Sequence, residues 1–271
     1  RVVTVAVSDV VGDDPGVIGS GPTVADGTTF EDALDVLSRY DVDAPAVRAH
    51  LEAGARGSVA GTPAPGDSVF DDTGYHVVAS ARAAVAGAIA EAERRGLEPA
   101  VLSTTVTGEA SECGAFHAAV GREAATTGSP VDPPAALVSA GETTVRVTGD
   151  GRGGPNQEFV LGAGVALADG PALPAGVDVA VAAVDTDGRD GSTDAAGAVL
   201  ARDALAAPDR REAARDALAR NDASGFLGTL AANDEGPDGD EGGSSRVGGL
   251  LRSGATGTNV NDLRVVVVDD R

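Results

Sequence analysis

Apolar and polar positions are arranged along the chain in a pattern that predicts an α/β protein. Short runs of Val, Ala and Leu are typical of buried strands. Longer Ala-rich segments predict helices between those strands, and a capping box at Thr28 and Glu31 opens the first helix. The predicted strands cover residues 2–7, 76–79, 100–102, 136–138, 143–147, 177–184 and 263–268. The predicted helices cover residues 28–39, 45–54, 81–95, 108–126, 156–168, 194–206 and 209–220.

Four segments predict how these elements are organised. The mostly apolar run 2–7 predicts a central parallel strand. Residues 76–102 predict a strand–helix–strand unit, which requires a parallel sheet with a right-handed crossover. The proline-rich segment Pro130–Pro134 predicts a domain boundary. Residues 233–249 are acidic and rich in Gly and Ser, so we expect a flexible surface insertion there.

The charge balance argues against two classes of partner. The chain has 42 acidic and 20 basic residues, a formal net charge of −22, and every basic residue is Arg. Such a charge repels the phosphates of nucleic acids and the surfaces of anionic membranes, so neither is an expected partner. A dense acidic surface without Lys is typical of cytoplasmic proteins adapted to high salt, although a GC-rich genome would favour the same residues.

Cysteine usage and the absence of targeting signals favour the cytoplasm. Cys113 is the single cysteine, so we expect no internal disulfide and a reducing compartment. No apolar run reaches the length of a membrane span, and no signal-peptide pattern opens the chain. Because the chain contains no Met and begins inside a predicted strand, we expect a fragment that has lost an N-terminal portion.

Four predicted loops place Gly and polar side chains directly after a strand, where ligands bind in open α/β sheets. In the first loop, residues 8–23, glycines let the backbone approach an anion, and Asp9 and Asp13 are candidate cation ligands. The alternative is a long turn stabilised by its Asp side chains. In the second loop, residues 151–158, glycines precede a helix N-terminus and Arg152 is placed to bind phosphate oxygens. This second signal is weak on its own, because glycine-rich loops are common.

The third loop, residues 185–194, contains the aspartates Asp185, Asp187, Asp190 and Asp194. Carboxylates this close repel one another unless a cation or a set of donors holds them, and oxygen ligands suit Mg²⁺ or Ca²⁺. An EF-hand is excluded, because counting from Asp185 its sixth position is Asp190 and its twelfth is Ala196. The two alternatives left open are a Mg²⁺–phosphate site and a solvated acidic loop.

The fourth loop, residues 254–262, combines Gly with small hydroxyl and amide side chains, which suit either a nucleotide-like ligand or a plain turn.

Two common signatures are absent from the sequence. A chain without Lys has no Walker A loop, and no glycine fingerprint for dinucleotides follows a strand. The side chains of His50, His76, His117 and Cys113 form no metal-spaced cluster, so we interpret them as structural or surface residues.

Five motifs lie in order along almost the whole chain. They are Ser8-Asp9-x-x-Gly12-Asp13 with Ser20-Gly21-Pro22-Thr23, Gly141-Glu142-Thr143-Thr144-Val145, Gly151-Arg152-Gly153-Gly154-x-Asn156-Gln157-Glu158, Asp187-Gly188-x-Asp190-Gly191-x-Thr193-Asp194-Ala195-Ala196-Gly197 and Thr256-Gly257-Thr258-Asn259-Val260-Asn261-Asp262-Leu263-Arg264. Together they closely resemble the glycerate 2-kinase family with a MOFRL C-terminal domain. The resemblance implies an ATP- and Mg²⁺-dependent kinase that phosphorylates D-glycerate, usually at the 2-hydroxyl.

The resemblance also implies two α/β domains with the active site in the cleft between them. Residues 1–133 would be the C-terminal part of a Rossmann-like first domain with a parallel sheet, and residues 134–271 would be the MOFRL domain. The implied catalytic residues are Arg152, Asp187 and Asp190, and the implied Mg²⁺ ligands are Asp185, Asp187, Asp190 and Asp194. The implied cofactor-binding residues are Asp9, Gly12, Asp13, Ser20, Gly21, Thr23, Gly153, Gly154, Asn156, Gln157, Glu158, Thr258, Asn259, Asn261 and Asp262. The expected partners are glycerate and a nucleotide, with a homodimer as the candidate assembly.

Two departures from the family pattern bear on activity. The family's N-terminal portion, with a catalytic Lys and a Gly-rich Ser loop, is missing. Pro155 stands where the family has an Arg, which would stabilise the transferring phosphoryl group. Either Arg152 takes that role or activity is reduced, and we expect the chain alone to be inactive. The alternative functions are a hydroxypyruvate reductase, for which no nicotinamide site is found, and a degenerate protein that binds nucleotide or glycerate without catalysis.

Overall fold

The structure is a computed structural model that describes residues 1–232 and 248–270. Contacts within the chain group it into two compact units. The first unit consists of residues 1–6 and 13–78, and the second consists of residues 7–12 and 79–271. The predicted α/β class is confirmed, because both units combine helices with strands. No helix among the described residues is long and apolar enough to cross a membrane.

The first unit is built on a two-stranded sheet and two helices. They are β1 (Val2–Val7), α1 (Phe30–Arg39), α2 (Pro45–Ala55) and β2 (Thr73–Ala79). α1 begins at a capping box, in which the Thr29 hydroxyl accepts from the Asp32 N–H at 3.2 Å and the Asp32 carboxylate accepts from the Thr29 N–H at 2.8 Å. The box predicted at Thr28 was one residue too early, because the Thr28 hydroxyl donates to Asp26 instead.

Two predictions about these strands were wrong. β1 is not a buried central strand, because it lies in a two-stranded sheet with β2 and its Val3 and Val5 are 53% and 66% exposed. Residues 76–102 do not form a strand–helix–strand unit in one sheet, because β2 and the strand after the helix belong to different sheets. An apolar run identifies a strand but does not specify its partner.

The second unit is built on a six-stranded sheet. Its strands are β3 (Glu98–Glu109), β4 (Ala135–Thr144), β5 (Asp178–Asp185), β6 (Gly197–Ala201), β7 (Gly248–Leu251) and β8 (Asp262–Asp269). They lie in the order β3-β4-β8-β5-β6-β7, in which β3 and β4 are parallel and the other neighbours are antiparallel. Its helices are α3 (Ala81–Arg94), α4 (Ala110–Thr127), α5 (Pro155–Asp169), α6 (Pro208–Ala219) and α7 (Ala223–Ala232).

Helix α5 lies in the core of the second unit. It is apolar on every side, as expected of a helix that is covered all round, and its Phe159 and Leu161 are fully buried. Its first residues are also buried although they are polar, namely Asn156, Gln157 and Glu158. Buried polar groups need hydrogen-bond partners, so the structure around this helix end is built to supply them.

The structure corrects two elements of the second unit. Residues 136–144 belong to the single strand β4, which runs through Gly141 and Glu142 instead of breaking there. Residues 194–206 form β6 and a 3-10 turn, Arg202–Leu205, instead of a helix. Their Ala-rich composition favours a helix, but β6 pairs with β5 along its whole length, and this pairing overrides the local preference. The predicted insertion lies outside the described residues as far as residue 247.

The compact units divide the chain near residue 78, whereas the predicted domain boundary lies between residues 133 and 134. β3 and α4 group with the C-terminal residues because β3 pairs in parallel with β4, from Glu98 beside Ala135 to Glu109 beside Thr144. The division of the family's domains at 133 stays a prediction, and the grouping of contacts does not follow it.

Candidate active site

Three carboxylates, Glu142, Asp185 and Asp262, lie where the inner strands β4 and β5 end and β8 begins, and we call this end of the sheet the sheet edge. β8 lies between β4 and β5, and Asp262 pairs in register with Gly141 on one side and with Asp185 on the other. Glu142 follows Gly141 directly. Burial raises the pKa of Asp185 to about 6 and the pKa of Asp262 to about 7, and the nearby Glu142 carboxylate raises both. Negative charge is therefore costly at this edge unless a cation compensates it.

Asp190 holds the N-terminus of α5. It is 1% exposed, and its carboxylate accepts hydrogen bonds from the N–H groups of Asn156 at 3.0 Å and Gln157 at 2.8 Å. These are two of the N–H groups that a helix leaves without an internal partner. Burial raises the pKa of Asp190, and these hydrogen bonds oppose the rise. The anion at these two N–H groups is therefore a side chain of the protein, so a phosphate predicted at this helix end needs other donors.

A buried network connects Asp190 with strand β8. Asn156 donates through Nδ2 to Asp262 at 2.7 Å and to Asp190 at 3.3 Å. Arg264 donates through Nη2 to Asp262 at 2.6 Å and to the Thr143 hydroxyl at 2.9 Å. Arg264 is 1% exposed, so both members of its ion pair are withdrawn from water. The network ties the aspartate loop, α5 and β8 to one another.

The four aspartates of residues 185–194 face different surroundings. Asp185 accepts from the Asp187 N–H at 3.0 Å, and Asp187 accepts from the Arg189 N–H at 2.6 Å. Asp190 turns inward to α5, whereas Asp194 is exposed and forms an ion pair with an Arg252 nitrogen at 3.3 Å. Among the described residues, no three His, Cys, Asp or Glu side chains are arranged to hold a metal ion. The structure therefore does not gather the four predicted Mg²⁺ ligands into one group.

Residues 254–262 pack against the aspartate loop. The Thr186 hydroxyl donates to the Asn261 carbonyl at 2.7 Å, and the Thr256 hydroxyl donates to the Thr186 carbonyl at 2.6 Å. The Asn261 amide donates through Nδ2 to Glu142 at 3.1 Å. The third and fourth predicted loops are thus fixed by hydrogen bonds to each other, and both lie beside the carboxylates of the sheet edge.

The other predicted binding residues are distributed over both units. Asp9 and Gly12 belong to the second unit, where the Asp9 carbonyl accepts from Asn261 Nδ2 at 2.6 Å. Thr258 and Asn259 are exposed. The predicted residues of the first unit are Asp13, Ser20, Gly21 and Thr23. The predicted residues that hydrogen bonds join around the α5 N-terminus and the sheet edge are Asp185, Asp187, Asp190, Asn156, Gln157, Glu158, Asn261 and Asp262.

Glu158 is held by a residue that the sequence reasoning missed. Asn221 donates through Nδ2 to Glu158 at 2.9 Å, and its Oδ1 accepts from the N–H groups of Thr148 at 2.8 Å and Gly149 at 2.9 Å. Asn221 follows α6 with a φ of +55°, a left-handed conformation that Asn adopts readily after a helix. An Asn directly after a predicted helix was the available signal.

Known proteins resemble both the sequence and the structure of this chain. The MOFRL family model matches residues 135–262, and the model of a domain of unknown function (DUF4147) matches residues 1–52. A glycerate 2-kinase of Pyrococcus horikoshii is 37% identical and is matched over 99% of this chain and 56% of its own length. A putative hydroxypyruvate reductase of Agrobacterium vitis is 38% identical, with 99% and 55% covered. The crystal structure of glycerate kinase from Thermotoga maritima matches with a TM-score of 0.78 at 30% identity, with 99% of this chain and 57% of that chain covered.

The chain belongs to the glycerate kinase family that has a MOFRL domain. The family resemblance read from the motifs is thereby confirmed. The chain spans a little over half the length of these relatives.

The structure accommodates Pro155 at the start of α5. Pro155 is the first residue of α5, where an N–H would have no partner within the helix and where the fixed φ of proline suits the helix. The nearest guanidinium along the chain belongs to Arg152. Arg152 is exposed, its N–H donates to Asp222 at 3.1 Å, and its guanidinium makes no hydrogen bond or ion pair with a described residue.

Arg264 and His117 are buried polar side chains of the second unit. Arg264 was missed as a candidate, although a charged residue inside the apolar strand β8 is itself a signal of a buried ion pair. His117 is 2% exposed, with Nδ1 2.7 Å from the Cys113 carbonyl and Nε2 2.8 Å from the Ser139 hydroxyl. Burial lowers its pKa. These contacts account for His117 as a structural core residue.

We expect Asp185→Asn to make the protein more stable than the wild type at pH 8 in EDTA and high salt, with the advantage fading below pH 4. Asp185 has a pKa of about 6 in the folded protein against an ordinary value of 3.8. The native wild type therefore binds more protons between these values, and its stability falls as pH rises through this window. Urea unfolding at several pH values measures the effect. Asp216→Asn, on an exposed side chain of α6, removes the same charge and should show no such pH-dependent gain.

Proposed function

We propose that the whole protein is a kinase that transfers a phosphoryl group from ATP to D-glycerate, in a Mg²⁺-dependent reaction that gives 2-phosphoglycerate. The observation that carries the proposal is the group of carboxylates where β4 and β5 end and β8 begins, next to the N-terminus of α5, in which Asp262 is buried, Asp185 is half-buried and Glu142 is exposed. Relatives of this chain are named glycerate 2-kinase and glycerate kinase. Phosphoryl transfer depends mainly on positioning and on compensation of phosphate charge, and this cluster suits a metal ion that does both.

The donor chemistry of the sheet edge fits Mg²⁺. Its side chains offer oxygen ligands, and Mg²⁺ is usually bound through one or two carboxylates together with substrate phosphates. Asp185 and Asp187 are the best candidates, since each has one carboxylate oxygen without a hydrogen bond to a described residue. The buried Oδ1 atoms of Asn156 and Asn261 also lack donors, which is what a site that awaits a cation or its waters would leave. The ion would neutralise phosphate charge during transfer.

The remaining predicted groups fall into different roles in this proposal. Asp190 supports the site by fixing α5 and the aspartate loop, since its carboxylate is occupied by the helix N–H groups. Asp194 is exposed and paired with Arg252, which favours it least as a ligand. Arg152 has a free guanidinium and is proposed to bind phosphate oxygens in place of the Arg lost at Pro155.

We expect the full-length protein to release ADP from ATP only when D-glycerate and Mg²⁺ are both present, and EDTA to abolish the release. Asp187→Asn should reduce kcat by about 100-fold, because a ligand of the charge-compensating ion is lost. Asp216→Asn on α6 serves as the matched control and should leave kcat unchanged. Coupled ADP assays measure the rates, and phosphorus NMR of the product distinguishes the 2-phosphate from the 3-phosphate.

The same preparation tests the two alternatives. The first alternative is the hydroxypyruvate reductase, a name that the Agrobacterium vitis relative carries, and NADH oxidation by hydroxypyruvate in the absence of coupling enzymes would support it. Nucleotide binding in a calorimeter without turnover would support a degenerate protein instead. In that case Pro155→Arg in the full-length protein should restore ADP release. Absence of Mg²⁺-dependent ADP release in both the wild type and this variant contradicts the kinase proposal.

A further inference from the structure

We propose that a cavity beside the first turns of α5 receives the phosphoryl acceptor with its 2-hydroxyl facing Glu158, and that the Glu158 carboxylate accepts the proton of this hydroxyl. This inference rests on the kinase function proposed above and assigns the acceptor a place within it. It concerns residues of the second unit alone.

The cavity has a volume of about 600 Å³. The end of β4 and the residues after it, including Thr143 and Thr144, form one wall, and Gly151, Gly153, Gly154 and Pro155 contribute another. Glu158 and Asn221 line it between these walls. The volume lies in the range of small-molecule sites and exceeds what a three-carbon hydroxy acid needs.

Glu158 is the polar group of this cavity that most needs a ligand. It is 4% exposed, and one of its oxygens accepts from Asn221 Nδ2 at 2.9 Å. The other oxygen has no hydrogen bond to a described residue. A carboxylate accepts hydrogen bonds but donates none, so the free oxygen calls for a ligand with a donor group. Burial raises the pKa of Glu158, which makes its carboxylate a better proton acceptor.

The charges around the cavity determine how a hydroxy acid is oriented, with its carboxylate turned away from the lining. Its titratable lining side chains are Glu142 and Glu158, and no Lys, Arg or His belongs to the lining among the described residues. An anionic carboxylate would be repelled here, whereas a neutral hydroxyl group would not. Arg152 lies between the lining residues Gly151 and Gly153 and has an unpaired guanidinium, so it remains available outside the cavity for the phosphate oxygens of the donor, as proposed above.

Glu158 acts as the base in the proposed transfer. The acceptor oxygen forms a bond to the γ-phosphorus of ATP, and the bond from that phosphorus to the β–γ bridging oxygen breaks. The hydroxyl proton passes to the free oxygen of Glu158, ADP leaves, and Glu158 later returns the proton to solvent. Asn221 is a positioning residue in this step, since it holds the other oxygen of Glu158.

Glu158→Gln in the full-length protein tests the assignment. Glutamine keeps a carbonyl oxygen for the Asn221 amide but cannot take a proton, so kcat with D-glycerate should fall by about 100- to 10,000-fold. KM for ATP should stay within about twofold of the wild type, because this proposal places Glu158 at the acceptor and not, as the family resemblance implied, at the cofactor. Glu112→Gln, on an exposed side chain of α4, removes the same charge and should keep the wild-type kcat. A thermal melt shows whether both variants are folded.

A second variant tests the cavity without altering Glu158. Thr144→Phe places a ring at the cavity wall and should raise KM for D-glycerate more than tenfold while KM for ATP is unchanged. If Glu158→Gln does not fold, the KM of Thr144→Phe for D-glycerate decides whether the acceptor occupies the cavity. An unchanged KM for D-glycerate in Thr144→Phe, or a wild-type kcat in folded Glu158→Gln, overturns the inference and leaves the kinase function standing.

The outcome in which the wild type releases no ADP is also decisive. The kinase function then fails, and the acceptor site is tested by calorimetric titration with D-glycerate. Binding that Thr144→Phe weakens more than tenfold supports the cavity as a hydroxy-acid site. Binding that Thr144→Phe does not change, or no binding to the wild type, overturns the inference as well.

Discussion

Arg264→Met is expected to lower the free energy of unfolding by about 3–5 kcal/mol, the usual effect of breaking a buried ion pair. Methionine replaces the apolar stem of Arg264 but removes the group that donates to Asp262 at 2.6 Å. Asp262 is 4% exposed and would keep the Asn156 amide as its donor among the described residues. The guanidinium also lies 5.2 Å from the centre of the Phe159 ring, so a cation–π contact is lost as well.

The defect should depend on pH. Burial raises the pKa of Asp262 to about 7 even beside Arg264, whose charge lowers it, so the pKa should rise further in the variant. A protonated Asp262 is neutral, so it does not require the Arg264 guanidinium to compensate a buried charge. Because the folded pKa lies above the ordinary value of 3.8, the variant's stability should fall as pH rises between these values. Urea unfolding at pH 5 and pH 8 should therefore show the smaller loss at pH 5.

Two further variants separate the buried pair from a general loss of an Arg. Adding Asp262→Asn to Arg264→Met removes the uncompensated charge and should recover most of the stability at pH 8. Arg215→Met removes an exposed ion pair with Asp169 and should change stability little. If Arg264→Met loses no more stability than Arg215→Met, the buried pair does not stabilise the fold as inferred.

The chemistry of the candidate site was partly predictable because it is local. An apolar strand followed by closely spaced aspartates indicates a functional loop wherever the strand lies, and β5 with Asp185 and Asp187 has this form. The partners across the site were not predictable in the same way. β8 inserts between β4 and β5 and brings Asp262 beside Asp185, and local periodicity does not specify which strands become neighbours.

The role of Asp190 illustrates the same limit on a smaller scale. Its spacing from Asp187 suggested a ligand, and the glycines before α5 suggested an empty anion site. Neither local pattern specifies that the two segments come into contact. In the structure the carboxylate of Asp190 accepts hydrogen bonds from the N–H groups that follow these glycines. The same contact therefore explains the position of Asp190 and shows what occupies the expected anion site. Gly154 fits this arrangement, because a Cβ atom there would collide with Asp190.

The contact between α4 and α5 depends on small residues. The low aromatic content of 3% predicts a core of many small contacts, and this pair of helices approaches closely at glycines. A Cβ atom at Gly114 of α4 would lie 2.9 Å from the carbonyl carbon of Phe159 and 3.0 Å from the nitrogen of Ala163, and still closer to the Phe159 oxygen. A Cβ atom at Gly162 of α5 would lie 2.6 Å from the Ser111 oxygen. These neighbours are backbone atoms, so they can move only if a helix moves.

Gly114→Ala is therefore expected to lower the free energy of unfolding by about 3 kcal/mol, at the upper end of the usual cost of overpacking a core. The helix preference of Ala over Gly acts in the opposite direction by about 1 kcal/mol, and it is too small to compensate. Displacement of α5 would also shift Phe159 and the N–H groups that bind Asp190, so the loss should extend to the candidate site. Urea unfolding in high salt measures the change in stability.

Gly87→Ala in α3 is the matched control, because Gly87 is exposed and no heavy atom lies within 4 Å of a Cβ added there. The same substitution should stabilise the protein at this position by about 0.5–1 kcal/mol, through helix preference alone. Opposite signs for the two variants would show that the close approach of the helices, and not the glycine itself, decides the outcome. A Gly114→Ala protein as stable as Gly87→Ala would mean that α4 and α5 can separate at little cost, and the α5 N-terminus would then not be rigidly placed for Asp190.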